Sequence, residues 1–158
     1  MPEEYLTRAL DRFRLDGRVA VVTGASYGLG VLFAETLAVA GARLVITARS
    51  ADKLEVTKKK LEELGAECLA VPADVRVFGD VDAVMTAAVE RFGSLDVLVN
   101  NAGIGDPRGL HSEILEPEKP REEIETDLIG TWYGCRAAAP HMLRQGRGSI
   151  VNISSMLG

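Results

Sequence analysis

The stretch Thr23-Gly24-Ala25-Ser26-Tyr27-Gly28-Leu29-Gly30 lies between a short apolar run, residues 18–22, and an Ala-, Leu- and Val-rich segment, residues 31–40. The apolar run predicts a buried parallel β-strand, and the segment after the glycines predicts an α-helix. The backbone N–H groups of a first helical turn lack partners and, together with the helix dipole, favour a bound anion. The stretch therefore predicts a phosphate-binding turn at the start of a helix.

Each glycine of this stretch has a predicted role. We expect Gly24 to permit a tight turn, Gly28 to let a pyrophosphate approach the backbone, and Gly30 to let the helix pack close to the strand. The hydroxyls of Thr23 and Ser26 can brace the turn. The spacing differs from the commoner Gly-x-Gly-x-x-Gly fingerprint, and a glycine cluster alone is equally typical of a plain strand-to-helix turn.

The composition is typical of a globular protein and argues against several classes. Of the 158 residues, 47% are hydrophobic and 26% are charged, which suits one domain over residues 1–158 with a sizeable core. The net charge of −5 argues against a nucleic-acid or anionic-membrane partner. No apolar run is long enough to span a bilayer, and residues 1–16 lack the apolar core of a signal peptide.

The cysteines and histidines indicate neither disulfides nor metal. Cys68 and Cys135 are far apart in the sequence, so we expect a reduced, cytoplasmic protein. His111 and His141 have no ligand partners at helical spacing, so we expect no metal site.

Strand-like and helix-like segments alternate along the chain. Beyond the first pair, the patterns predict strands at 43–47, 67–71, 95–99 and 149–153, helices at 3–13, 51–64, 78–92 and 122–145, and an irregular loop at 104–121. The alternation predicts an α/β fold, a Rossmann-type doubly wound parallel sheet with helices on both faces.

The last predicted helix, 122–145, carries a recurring apolar pattern. Its expected face consists of Ile124, Leu128, Trp132, Cys135, Ala139 and Met142. Pro140 is expected to bend or interrupt the last turns, because proline removes a helical hydrogen bond.

Polar or glycine-rich turns follow each predicted strand. They are residues 23–30, Arg49, Asp74, residues 100–103 and residues 154–155. The carboxyl ends of parallel strands meet at one edge of the sheet, where such folds bind their ligands. The pattern therefore predicts a binding site at that edge, with the 104–121 loop on the same side.

These segments resemble the short-chain dehydrogenase/reductase family. The matching pieces occur in the family's order and are Thr23-Gly24-x-x-x-Gly28-x-Gly30, Asp74-Val75, Asn100-Asn101-Ala102-Gly103 and Gly148-Ser149-Ile150-Val151-Asn152-Ile153-Ser154-Ser155. The resemblance implies an NAD(P)(H)-dependent oxidoreductase that interconverts an alcohol and a carbonyl by hydride transfer. It also implies a small-molecule substrate and a homo-oligomer for the full-length protein.

The resemblance assigns roles to individual residues. It places Thr23, Gly24, Ser26, Tyr27, Gly28, Leu29 and Gly30 at the cofactor, Asp74 and Val75 at its adenine, Asn101, Ala102 and Gly103 near its ribose, and Ser155 as the catalytic serine at the substrate oxygen. The same residue types are also compatible with purely local roles. Asp74 can be a helix N-cap or turn residue, Asn100 and Asn101 can form an Asx-type turn, and Ser155 can bond the local backbone.

The family's helical Asn-x-x-Gly run is Asp127-Leu128-Ile129-Gly130 here. If the asparagine serves to place a backbone carbonyl on a bridging water, Asp127 can still supply that carbonyl. A buried carboxylate at this position would either be paired or have a raised pKa.

The family's Tyr-x-x-x-Lys motif, in which the tyrosine donates the proton and the lysine lowers its pKa, lies downstream of the serine. No tyrosine of this chain has a lysine four residues on. We therefore expect an N-terminal portion of an oxidoreductase that is inactive as a 158-residue chain. The alternative is a non-catalytic dinucleotide-binding fragment or truncated gene product.

Ala48 and Arg49 follow the second predicted strand, where an acidic residue would select NAD through the ribose 2′-hydroxyl. Ala48 and Arg49 also argue against a methyltransferase of similar architecture, because such an enzyme is expected to have an acidic residue after the second strand. A guanidinium can instead pair with a 2′-phosphate for about 1.5–3 kcal/mol, which corresponds to about a tenfold to hundredfold preference for NADP(H) over NAD(H). Family members often carry a second basic residue in the glycine turn, and Tyr27 in that place favours the lower half of the range. A plain surface arginine is the alternative for Arg49.

Overall fold

The computed structural model describes residues 11–105 and 118–154. In this part of the chain, strands and helices alternate. The elements are β1 (Val19–Thr23), α1 (Leu29–Val39), β2 (Arg43–Ala48), α2 (Ala51–Glu63), β3 (Cys68–Pro72), α3 (Phe78–Phe92), β4 (Val97–Asn100), α4 (Glu118–Glu123), a π-helical segment (Ile124–Ile129), α5 (Gly130–Gln145) and β5 (Ser149–Asn152).

The five strands form one parallel sheet in the order β3-β2-β1-β4-β5. Val21 of the central strand β1 lies opposite Val45 of β2 and Leu98 of β4, and Leu98 lies opposite Ile150 of β5. The strand order reverses between β1 and β4, which creates a crevice beyond their carboxyl ends. The predicted Rossmann-type, doubly wound sheet is confirmed.

The central strand β1 is buried on both faces of the sheet, because successive side chains of a strand point to opposite sides. Val19 and Val21 pack with α3 and α5, whereas Ala20 and Val22 pack with α1 and α2. All four side chains are fully buried. The continuous apolar run before the glycine turn thus forms a strand with helices on both sides.

The predicted boundaries of the first four strands, of β5 and of α1, α2 and α3 agree with the structure within two residues. Most of the helix predicted over 3–13 lies outside the described residues, as do residues 106–117 of the predicted loop. In the described part of the chain, no helix combines the length and apolar character needed to cross a membrane.

The segment around residue 122 differs from the prediction. Helix α4 begins at Glu118, not at residue 122, and the π-helical segment separates it from α5. Pro120 does not exclude α4, because the first-turn N–H groups of a helix have no helical acceptor and proline forfeits nothing there. The loop prediction is therefore wrong for residues 118–121. The helix predicted over 122–145 is confirmed, with a π-helical segment at Ile124–Ile129 in place of regular α-helix.

The apolar face predicted for that helix is exposed over its first half and buried only at Met142. Ile124, Leu128 and Trp132 are 54%, 64% and 53% exposed. The buried residues of α5 are Gly130, Gly134, Ala137, Ala138 and Met142. Small residues let the helix backbone approach the sheet, an effect that a count of large apolar residues does not detect.

Pro140 does not interrupt α5, which continues to Gln145. Its side chain is exposed. Water can therefore reach the carbonyl that the missing proline N–H leaves unbonded, so the helix tolerates the loss.

Candidate functional site

A cavity of about 350 Å³ lies at the carboxyl edge of the sheet. Four of the predicted turns contribute to it, and its lining includes Gly24, Ser26, Tyr27, Gly28, Leu29, Gly30, Arg49, Ser50, Lys53, Asp74, Val75, Asn101, Ala102, Gly103 and Ile104. These residues come from segments up to about eighty positions apart in sequence, which the parallel strands bring to one edge. The predicted convergence is therefore seen for these four turns, whereas Ser154 does not line the cavity and Ser155 lies outside the described residues.

The glycine turn leaves the start of α1 open. Gly28 has φ 61° and ψ −139°, a conformation that only glycine adopts readily. Among the described residues, a Cβ added to Gly28 would meet nothing within 4 Å, and no side chain caps α1. The first N–H groups of α1 thus border an open space that a pyrophosphate would fit.

Gly24 and Gly30 are instead required for close packing. Gly24 has φ 69°, and a Cβ on it would lie 2.8 Å from Ala102 Cα. A Cβ on Gly30 would overlap the carbonyl oxygen of Gly24 and lie 2.6 Å from Asn101 Nδ2. These close approaches hold the helix start against the turns that follow β1 and β4.

The Thr23 hydroxyl braces the neighbouring turn as well as its own strand end. It accepts hydrogen bonds from the N–H groups of Asn101 and Ala102, both at 2.9 Å, and donates to the carbonyl of Val99. The Asn101 amide in turn donates to the Thr23 carbonyl at 2.9 Å. The turns after β1 and β4 are therefore joined by hydrogen bonds in both directions.

The first asparagine of this turn faces the other way. Asn100 is 3% exposed, and its Nδ2 donates to Asn152 Oδ1 at 2.9 Å and to the carbonyl of Thr131. Asn100 thus links β4, β5 and α5, and it does not line the cavity.

The Asp74 carboxylate is paired within its own turn. It accepts the backbone N–H of Arg76 at 3.0 Å and the Arg76 guanidinium at 2.6–3.1 Å. These hydrogen bonds hold the pKa of Asp74 below its ordinary value. Arg76 also reaches Glu122 of α4 at 3.2 Å. The carboxylate therefore serves a turn and is held ionised at the wall of the cavity.

Asp127 lies in the π-helical segment beside the turn after β4. Its Oδ1 accepts the N–H of Ile104 at 2.9 Å, and its backbone carbonyl accepts the Thr131 hydroxyl at 2.7 Å. Its side chain is exposed, so Asp127 is not the buried carboxylate that the sequence analysis considered. A carbonyl oxygen has two lone pairs, so this one can still accept a second donor.

The described chain adds one basic residue that the sequence analysis missed. Lys53 lines the cavity together with Arg49, and its Nζ lies 5.9 Å from the centre of the Tyr27 ring. The available signal was a lysine in the first turn of a helix, where acidic residues are favoured. Ser155, the expected catalytic serine, lies outside the described residues.

Known proteins resemble this chain over most of its length. A family profile described as short chain dehydrogenase matches residues 18–158. The 1,6-dihydroxycyclohexa-2,4-diene-1-carboxylate dehydrogenase of Pseudomonas putida is 40% identical over 145 residues, which are 90% of this chain and 52% of that protein. The chain spans about half the length of the curated relatives that it matches.

Two solved structures share the fold. A metagenomic short-chain oxidoreductase in complex with NADP is 38% identical with a TM-score of 0.82, and the match covers 90% of this chain and 64% of that one. A 7α-hydroxysteroid dehydrogenase complexed with NADH and 7-oxo glycochenodeoxycholic acid is 32% identical with a TM-score of 0.85, covering 92% and 56% of the two chains.

Proposed function

Because the chain belongs to the short-chain dehydrogenase family, we propose that the protein is an NAD(P)(H)-dependent oxidoreductase that interconverts a small-molecule alcohol and a carbonyl. The observation that carries the proposal is the cavity that joins the glycine turn, Arg49, Asp74 and the turn after β4. A dinucleotide contains an adenine, two riboses and a pyrophosphate. The lining offers backbone N–H groups, a cation, a carboxylate and amide groups, which are different partners for these different parts.

The proposed placement of the cofactor follows from the lining. The pyrophosphate lies at Gly28 and the uncapped start of α1, where the backbone N–H groups are free to bind an anion. Asp74 and Val75 contact the adenine, and Asn101, Ala102 and Gly103 lie near a ribose. Thr23, Ser26, Tyr27, Leu29 and Gly30 shape the turn that holds the phosphates.

Arg49 gives the site a preference for NADP(H) over NAD(H) in this proposal. It is an exposed cation in the turn after β2 and lines the cavity. No acidic residue occupies that turn, so it lacks the carboxylate that accepts a ribose 2′-hydroxyl in an NAD site. The related structures support both forms of the cofactor, one with NADP and one with NADH.

When bound, the cofactor supplies or accepts the hydride. We propose that Ser155 donates a hydrogen bond to the substrate oxygen and orients it. Asp127 holds the turn after β4 through Ile104 N–H and offers its backbone carbonyl to a water. The general acid of this chemistry is not a tyrosine of the Tyr-x-x-x-Lys kind within these 158 residues.

The test is a titration of the full-length protein with NADPH and NADH, followed by NADPH oxidation with a panel of small ketones and aldehydes. We expect binding of both nucleotides, tighter binding of NADPH, and turnover of at least one carbonyl. The Ser155→Ala variant should bind NADPH normally and lose turnover by about 10²-fold or more. Failure to bind either nucleotide contradicts the proposal, and binding without any turnover favours the non-catalytic alternative.

A further inference from the structure

Lys53 occupies an unusual place for a lysine. It lies in the first turn of α2, and its backbone N–H donates to the Oγ of the capping residue Ser50 at 3.5 Å. The helix dipole makes this end positive, so a cation here is unfavourable and an acidic residue would stabilise the helix. Helix stability therefore does not account for a lysine at position 53. Residues that are unfavourable for the local secondary structure are expected at functional sites.

The Lys53 ammonium is held by an aromatic ring. Its Nζ lies 5.9 Å from the centre of the Tyr27 ring, within the range of a cation–π contact. The Tyr27 ring is 68% exposed and lines the cavity. The contact joins the first turn of α2 to the glycine turn, and Arg49 lines the same cavity.

The cavity has two cations that, in the described part of the chain, do not pair with a carboxylate and that are therefore available to bind an anion. Among residues 11–105 and 118–154, neither Lys53 nor Arg49 forms an ion pair with a carboxylate, whereas Lys58 of the same helix pairs with Glu55 and Glu62. The part of the lining that the structure describes contains one carboxylate, Asp74, and Arg76 neutralises it. The adjacent Asp52 does not face Lys53, because helical neighbours in sequence point in different directions.

We propose that Lys53, positioned by the Tyr27 ring, is the second basic group of the subsite for the ribose 2′-phosphate and acts with Arg49 to select NADP(H). The inference rests on the proposed nucleotide site and names a specificity-determining residue within it. In this arrangement Tyr27 replaces a basic residue in the glycine turn by holding a lysine from α2 over the same part of the cavity.

The experiment compares dissociation constants of the full-length protein for NADPH and NADH, measured by calorimetry, in matched variants. Lys53→Ala should weaken NADPH binding about three- to tenfold and leave NADH within about twofold. Lys59→Ala is the control, because it removes the same charge from an exposed position of α2 outside the cavity lining. Lys53→Arg should retain most of the preference for NADPH.

Two further arms examine the aromatic contact and the phosphate itself. Tyr27→Leu should weaken NADPH binding about two- to threefold while Tyr27→Phe, which keeps the ring, should not. Adenosine 2′,5′-bisphosphate and 5′-AMP differ only in the 2′-phosphate, so the effect of Lys53→Ala should appear with the first probe and not with the second.

The outcomes separate this inference from the proposed function. If Lys53→Ala changes NADPH and NADH binding equally, or changes NADPH binding no more than Lys59→Ala does, the role of Lys53 is overturned while Arg49 and the nucleotide site stand. If neither nucleotide binds the unmodified protein, the proposed function fails and this inference fails with it. Circular dichroism of each variant checks that α2 remains folded.

Discussion

The Oγ1 atom of Thr23 and the backbone N–H of Asn101 are 2.9 Å apart, and this hydrogen bond joins the ends of two adjacent strands of the sheet. The same hydroxyl accepts the N–H of Ala102 at 2.9 Å. Thr23 is 3% exposed, so water does not easily replace it. The walls of the cavity on either side of the β1–β4 crevice are thus fixed to each other by this hydroxyl, together with the Asn101 amide that donates to the Thr23 carbonyl.

We predict that Thr23→Val destabilises the protein and weakens cofactor binding. Valine keeps the shape of threonine but leaves the N–H groups of Asn101 and Ala102 without their acceptor. Leaving a buried donor unsatisfied costs about 1–3 kcal/mol. Urea unfolding should show that loss of free energy, and NADPH titration should show weaker binding because the turn after β4 is less well held.

Thr23→Ser is the matched control, because it retains the hydroxyl and removes only the methyl group. Its free energy of unfolding should lie closer to that of the unmodified protein than the free energy of Thr23→Val does. Equal losses in the two variants would show that the methyl group, and not the hydrogen bonds, accounts for the effect.

The alternation of apolar strands and amphipathic helices predicted most of the fold. A strand that is buried on both faces has an uninterrupted run of apolar residues, which can be recognised in the sequence. Val19 to Val22 are apolar without interruption, and the helix over Phe78–Phe92 has its large residues at regular spacing. The convergence of the turns followed from the topology of parallel strands alone.

The remaining features depend on contacts that local patterns do not encode. Gly134 and Ala138 are buried in α5 although they contribute little hydrophobicity, whereas Trp132 of the predicted apolar face is exposed. The contact between Tyr27 and Lys53 joins residues of two different helix starts. A pattern within one element cannot show such a contact, and only the packed sheet brings the two together.

We predict that Gly28→Ala abolishes nucleotide binding while the far-ultraviolet circular dichroism stays close to that of the unmodified protein. Within the described part of the chain, the added Cβ meets nothing within 4 Å, so it would occupy the open space at the start of α1 that we propose for the pyrophosphate. The φ of 61° also strains any side chain at this position. The larger Gly28→Val change should have the same effect on binding.

Gly93→Ala is the control that shows whether backbone strain alone, and not a blocked phosphate site, could account for a loss of binding in Gly28→Ala. Gly93 also has a positive φ and open space at the Cβ position, but it ends α3 and lies outside the cavity lining. This variant should lose some stability and bind NADPH normally. Normal NADPH affinity in Gly28→Ala would show that the glycine turn is not the phosphate site.

We predict that Arg49→Ala lowers the ratio of NADPH to NADH affinity by about tenfold. A charge-assisted hydrogen bond to phosphate is worth about 1.5–3 kcal/mol, and the exposure of Arg49 places the effect at the lower end. Arg144→Ala, which removes an exposed cation from α5 outside the cavity lining, is the control. An unchanged ratio in Arg49→Ala would contradict the assignment of the 2′-phosphate to this turn.

The last prediction concerns Asp96, at the opposite edge of the sheet from the cavity. Its side chain is 4% exposed and accepts hydrogen bonds from Ser94 Oγ and Val19 N–H, and from the guanidinium groups of Arg18 and Arg147. Burial alone would raise the pKa of Asp96, but these four donors together lower it to about 2. The carboxylate thus joins the starts of β1 and β4 and the segment before β5 in its ionised form.

Because this pKa is lower in the folded than in the unfolded protein, ionised Asp96 stabilises the fold above about pH 4, and that contribution is lost as the pH falls towards 2. The shift corresponds to about 2 kcal/mol. Asp96→Asn should therefore destabilise the protein at pH 7 by at least that amount, since it removes the negative charge beside two guanidinium groups and replaces one of the two acceptor oxygens by an N–H donor. The difference from the unmodified protein should shrink between pH 4 and pH 2, as followed by urea unfolding.

Asp82→Asn, which removes an exposed charge from α3, should change stability by less than about 0.5 kcal/mol at either pH. A loss in Asp96→Asn that is the same at both ends of the range would show that the ionised carboxylate is not what stabilises this edge.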